Sequence, residues 1–87
     1  MKQKFYKKSY ASLKRGRYIY CRDLNKKQIL YIGKITSKSR GYVNLISICG
    51  LCPPYISKYR IFGGYSDFSY RICDKRTADQ LSILNAI

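Results

Sequence analysis

The chain contains no histidine, no tryptophan and no glutamate, and its only acids are Asp23, Asp67, Asp74 and Asp79. Without histidine there is no side chain that titrates near neutrality unaided, and none of the familiar Ser–His or Cys–His nucleophile pairs can be built. The four aspartates are dispersed, so no carboxylate pair stands ready for general acid–base work. Glycines are few, and neither Walker nor dinucleotide-binding spacing occurs among them. Proline is confined to Pro53 and Pro54. The longest mostly apolar stretch, residues 42–51, is far too short to span a bilayer. The first eight residues are basic but lack an apolar core, so no secretory signal is expected. These absences predict a protein that is not an enzyme, has no membrane partner and works in the cytoplasm.

What is present is positive charge. Eighteen Lys and Arg face four acids in 87 residues, a formal net charge of +14. Such a chain is long enough for one domain. Self-repulsion at that charge density opposes compaction, so an anionic partner is expected. A hydrophobic content of 46% argues against a disordered basic tail. The charge is also uneven. Residues 1–40 carry thirteen of the basic groups and one acid, whereas residues 41–87 carry five basic groups and three acids. That asymmetry points to a single binding face. An AT-rich coding bias would also raise Lys, Ile and Tyr, but it accounts less well for seven arginines.

Along the chain, residues 1–12 form a basic segment with Phe5, Tyr6 and Tyr10, expected as an arm ahead of one domain over 13–87. Residues 17–22 alternate, with Ile19 and Cys21 on one face and Tyr18, Tyr20 and Arg22 on the other. Residues 28–35 read as the next strand. A two-residue turn at Asn25-Lys26 places Tyr20 opposite Tyr31 and Ile19 opposite Ile32. Ile19, Cys21, Leu30 and Ile32 would then line an inner face, and Tyr18, Tyr20, Arg22 and Tyr31 an outer one. A polar loop follows, then a nearly continuous apolar strand over 42–49, broken by the two prolines. Gly63-Gly64 predicts a hairpin between 55–62 and 65–73. In that register Tyr59 faces Phe68, Ser57 faces Tyr70, Tyr55 faces Ile72 and Arg60 faces Asp67. Thr77 and Gln80 match a capping box, predicting a helix over 77–87 with Leu81, Leu84 and Ile87 on one stripe.

The run Leu13-Lys-Arg-Gly-Arg-Tyr-Ile-Tyr, followed by Ile29-Leu-Tyr-Ile-Gly-Lys-Ile, resembles the opening of SH3-like barrels over residues 13–48. The predicted fold is mostly β: a small five-stranded SH3-like barrel or a strongly bent antiparallel sheet, with a C-terminal α-helix. A fold-level likeness of this kind carries no function with it.

Two constellations bear chemistry. Cys21, Cys49, Cys52 and Cys73 could supply four thiolates to zinc, the one cofactor the inventory allows. The predicted hairpin places Cys73 opposite Pro54, diagonal to Cys52. A single Cys-x-x-Cys instead of two knuckles favours free, buried cysteines used as small apolar residues. A redox motif or disulfides are weaker alternatives. The second constellation is basic and aromatic. Lys4, Lys7, Lys8, Lys14, Arg15, Arg17, Arg22, Lys34, Lys38 and Arg40 would neutralise phosphates, and Tyr18, Tyr20 and Tyr31 would stack on bases. The competing reading makes those tyrosines core residues. The expected function is therefore non-catalytic binding of DNA or RNA through a basic arm and a Tyr/Arg hairpin face. The alternative is a small inhibitor or adaptor, encoded by a phage or mobile element, that binds a host nuclease, defence, transcription or translation complex.

Overall fold

A computed structural model describes residues 3–63 and 67–85. Its centre is the pair β2 (Tyr18–Asp23) and β3 (Gln28–Lys38), where β-branched and aromatic residues dominate. To one side β3 pairs with β4 (Tyr42–Gly50), and β4 with the short β5 (Tyr55–Ser57). To the other side β2 pairs with β6 (Phe68–Cys73), and β6 with β1 (Phe5–Tyr6). The result is one antiparallel, open six-stranded sheet in the order β1-β6-β2-β3-β4-β5. A five-residue helix, α1 (Lys58–Phe62), follows β5, and α2 (Lys75–Asn85) closes the described chain. The mostly β architecture with a C-terminal helix is as expected; the described residues form six strands, not five, and the basic N-terminal segment supplies the edge strand β1.

Both faces of the sheet carry a buried core, the second only beneath α2, since Ile46 and Ile48 of β4 are exposed. One buries Ile19, Cys21, Tyr31, Ile35, Val43, Leu45, Tyr70 and Ile72, closed over by Leu13, Ile56 and Ile61. The other buries Tyr18, Tyr20, Ile29, Ile32 and Cys73 beneath Ala78 and Leu81 of α2.

The β2–β3 register departs from expectation at one residue. Asp23 faces Gln28 and Arg22 faces Ile29, as an Asn25-Lys26 turn requires. A bulge then intervenes, so Cys21 faces Tyr31, Tyr20 faces Ile32 and Ile19 faces Gly33. An extra residue in one strand sends every later side chain to the opposite face. Tyr31 therefore joins the core with Ile19 and Cys21, Ile32 moves to the face under α2, and Leu30 is left exposed. A second bulge brings Gly33 to Ser47. A Cβ there would sit 2.6 Å from the Cys52 sulfur, so any larger residue would have to displace the Cys52 side chain.

The hairpin predicted about Gly63-Gly64 is not formed; Gly64 itself lies outside the described residues. β6 pairs with β2 and β1, and residues 58–62 are helical. Ile56 and Ile61 explain why. Five residues apart, they would fall on opposite faces of a continuous strand, yet both are buried in the same core. One helical turn reconciles them. Ser57 caps that turn, its hydroxyl accepting from the Arg60 amide at 3.2 Å. Arg60 accordingly does not face Asp67; its Nε donates to the Tyr70 hydroxyl at 3.1 Å.

At α2 the cap also moves. The Asp74 carboxylate accepts from the Thr77 amide at 2.9 Å, and the Asp74 carbonyl accepts from the Ala78 amide. Thr77 lies inside the first turn, fully buried, where its hydroxyl accepts from the Lys4 amide at 2.6 Å. The buried stripe is Thr77, Ala78 and Leu81. Leu84 is exposed, and Ile87 lies outside the described residues.

Candidate nucleic-acid interface

Hydrogen bonds gather three segments at one end of the sheet. The Gly16 amide donates to the Ile35 carbonyl, and the Ile35 amide to the Arg17 carbonyl. The Tyr10 hydroxyl donates to the Ser39 carbonyl at 3.3 Å, and Lys38 Nζ to the Tyr10 carbonyl at 3.0 Å. The Lys58 amide donates to the Gly41 carbonyl at 3.0 Å. The 3₁₀ turn Tyr10–Ser12, the loop after β3 and the start of α1 are thereby tied together.

Between that turn and α1 lies an open cleft of about 610 Å³, lined by Lys8, Ser9, Tyr10, Lys58, Tyr59, Phe62 and Gly63. Lys58 Nζ sits 5.3 Å from the centre of the Tyr10 ring and 5.8 Å from that of Tyr59. Lys38 Nζ lies 4.0 Å from the Tyr10 ring. Tyr10 is held by the Ser39 carbonyl and Lys38, whereas the Tyr59 side chain is 73% exposed. Beyond the Lys58–Gly41 bond, the Tyr42 and Tyr55 rings meet edge to face at 5.4 Å, both about half exposed.

None of the four acids lines the cleft. Asp23 accepts from the Asn25 and Lys26 amides at the β2–β3 turn, and Asp67 accepts from the Asn25 side chain. Asp74 caps α2, and Asp79 pairs with Lys75 at 3.5 Å. The cleft's cations therefore face aromatic rings and solvent, without a lining carboxylate to offset them.

The residues expected to carry the site divide into two groups. Lys8 and Lys38 belong to the cleft or its rim. Lys14, Arg15 and Arg40 are exposed on the segments tied together at this end, and Lys7 is exposed on the neighbouring turn. Lys4 lies beside Tyr6, 5.2 Å from its ring, with its backbone on Thr77. Arg17 packs 3.6 Å from the centre of the Tyr6 ring and donates to the Ser12 carbonyl, so its guanidinium braces the turn. Arg22 and Lys34 are exposed on β2 and β3, away from the cleft lining.

The aromatic part of the expectation is overturned. Tyr18 and Tyr20 are only 4% and 6% exposed beneath α2 and β1, and Tyr31 only 7% on the opposite face. No ring face remains there for a base. The exposed rings at this end of the sheet are instead Tyr10, Tyr42, Tyr55 and Tyr59, with Lys58 among them, none singled out as a binding residue from the sequence.

The cysteines do not converge. Cys21 and Cys73 are buried on opposite faces of the sheet; Cys52 packs against the first core and Cys49 against the second. Cys73 lies opposite Tyr18 and Phe5, not Pro54. Among the described residues no group of three or more His, Cys, Asp or Glu is placed to hold a metal ion. Burial pushes the Cys52 thiol up to about 11 and the Cys73 thiol up to about 12. It also raises the Cys21 thiol and the Tyr31 and Tyr70 phenols above their ordinary values, so this buried group is protonated at neutral pH.

No protein-family model, no curated protein and no solved structure matches this chain. No helix among the described residues is long and apolar enough to cross a membrane.

Proposed function

We propose that this protein binds nucleic acid without catalysis, contacting phosphates through the basic end of the sheet. The observation that carries the reading is the carboxylate-free cleft lined by Lys8, Lys58, Tyr10 and Tyr59, with Lys58 beside both rings and Lys38 packed on the Tyr10 ring at its rim. Ammonium groups there would neutralise phosphates, and exposed rings offer surface to bases. Lys7, Lys14, Arg15 and Arg40, exposed on this and adjoining segments, add to the positive surface. The reading keeps the SH3-like likeness of residues 13–48 for β2, β3 and β4, as a small β scaffold that presents its ligand site on connecting segments. The test is titration of labelled single- and double-stranded oligonucleotides at two salt concentrations. Binding at low salt that weakens steeply at high salt is expected; undetectable binding at low salt contradicts it.

A protein target is the second reading, favoured by a different surface. β5 pairs with β4 only at Tyr42, Val43 and Asn44, and beyond that point Ile46, Ile48 and Leu51 are exposed. An apolar, partly open strand edge of this kind suits a protein partner. A stoichiometric protein complex that survives nuclease treatment would favour this reading.

A further inference from the structure

We infer that the cleft between the Tyr10–Ser12 turn and α1 seats an unpaired base, so that the ligand is a single-stranded nucleic acid. This rests on the nucleic-acid reading above and narrows it. Two tyrosines line the cleft, and a lysine ammonium stands between 5 and 6 Å from both ring centres. One ring is fixed by its hydroxyl on Ser39 and by Lys38; the other projects from α1 and is largely exposed. A fixed ring offers a base a preorganised surface, and an exposed ring offers it a second face. The volume of about 610 Å³ falls within the range of small-molecule sites and admits one nucleotide. Lys58 and Lys8 are then placed for the flanking phosphates. In a duplex the bases are stacked within the helix, and their faces cannot reach the rings without flipping. The half-exposed Tyr42–Tyr55 pair, reached across the Lys58–Gly41 bond, offers the next aromatic surface for a strand leaving the cleft.

The experiment compares a labelled single strand, its duplex and heparin at one fixed salt concentration, with the intact chain and with Tyr59→Ala. The expected result is preference for the single strand, weakened about 5- to 100-fold by Tyr59→Ala, with duplex and heparin binding unchanged. Tyr59→Phe should recover the single-strand affinity lost in Tyr59→Ala. An exposed ring is not needed for folding, and an unchanged thermal midpoint of both variants checks this. Equal weakening for all three ligands, or no change for the single strand, overturns the assignment of the cleft. Failure of the intact chain to bind any nucleic acid at low salt would instead overturn the broader reading on which it rests.

Discussion

Two residues carry stability terms that can be tested singly. Lys27 closes the β2–β3 turn with φ of +55°, a left-handed conformation unfavourable for a side chain bearing Cβ. Replacing it with glycine should raise stability by about 0.5–1 kcal/mol. Lys27→Ala removes the same charge but keeps the Cβ, so the gain should be absent there; denaturant melts of the two variants make the comparison. The buried Cys73 thiol supplies the second, which depends on pH. The Cys73 thiol ionises at about 12 in the folded protein against 9.0 when solvated. The unfolded chain loses its proton first as pH rises, so this contribution to stability is present below pH 9 and is lost between about 9 and 12. Thermal midpoints across that window should fall less in Cys73→Ala than in the parent. Leu30 shows how one residue can hide from the sequence. Ile29, Leu30, Tyr31 and Ile32 are four consecutive apolar residues, so alternation does not say which one is the bulge. The turn-proximal register was legible, but everything beyond Leu30 shifted face, and the tyrosine surface expected at Tyr31 went with it.

Among the elements, β2 and β6 were legible from their alternation, and β3 and β4 from apolar runs bounded by turn residues. α1 was not. Five residues are too few to display a helical period, and Gly63-Gly64 sends a strong competing hairpin signal. Only the shared burial of Ile56 and Ile61 exposes the turn. α2 was anticipated, but its position over the sheet was not, because an apolar stripe does not name the face it covers. That is why Tyr18 and Tyr20 read as a binding surface and are core. The α2 cap yields a direct test. The Asp74 carboxyl is held below its ordinary range by its hydrogen bonds to Thr77. An acid with a lowered folded value adds stability above its unfolded value near 3.8, and that stability is lost as pH falls through the folded value. Asp74→Ala should therefore cost about 1 kcal/mol at neutral pH, with the difference from the parent shrinking below pH 4. Asp74→Asn should retain most of the capping and lose the pH dependence.

For the molecule as a whole, charge placement decides the account. A net charge of +14 opposes folding everywhere, yet the four acids are engaged at the β2–β3 turn and on α2. The basic end around Tyr10 and α1 is left without a lining carboxylate, a distribution that favours an anionic ligand there over uniform solubilising charge. The imbalance between the halves of the sequence pointed toward this, though Lys58 and Tyr59 come from the nearly neutral half. Only the folded chain brings them beside Lys8 and Lys38. The most direct measurement is the salt dependence of single-strand affinity for the parent and for the triple variant Lys8→Ala, Lys38→Ala, Lys58→Ala. Log affinity should fall linearly with log salt, with a slope shallower by about 0.7 per lysine removed from phosphate contact. An affinity insensitive to salt, or an identical slope in the triple variant, would contradict a phosphate-binding surface at this end of the sheet.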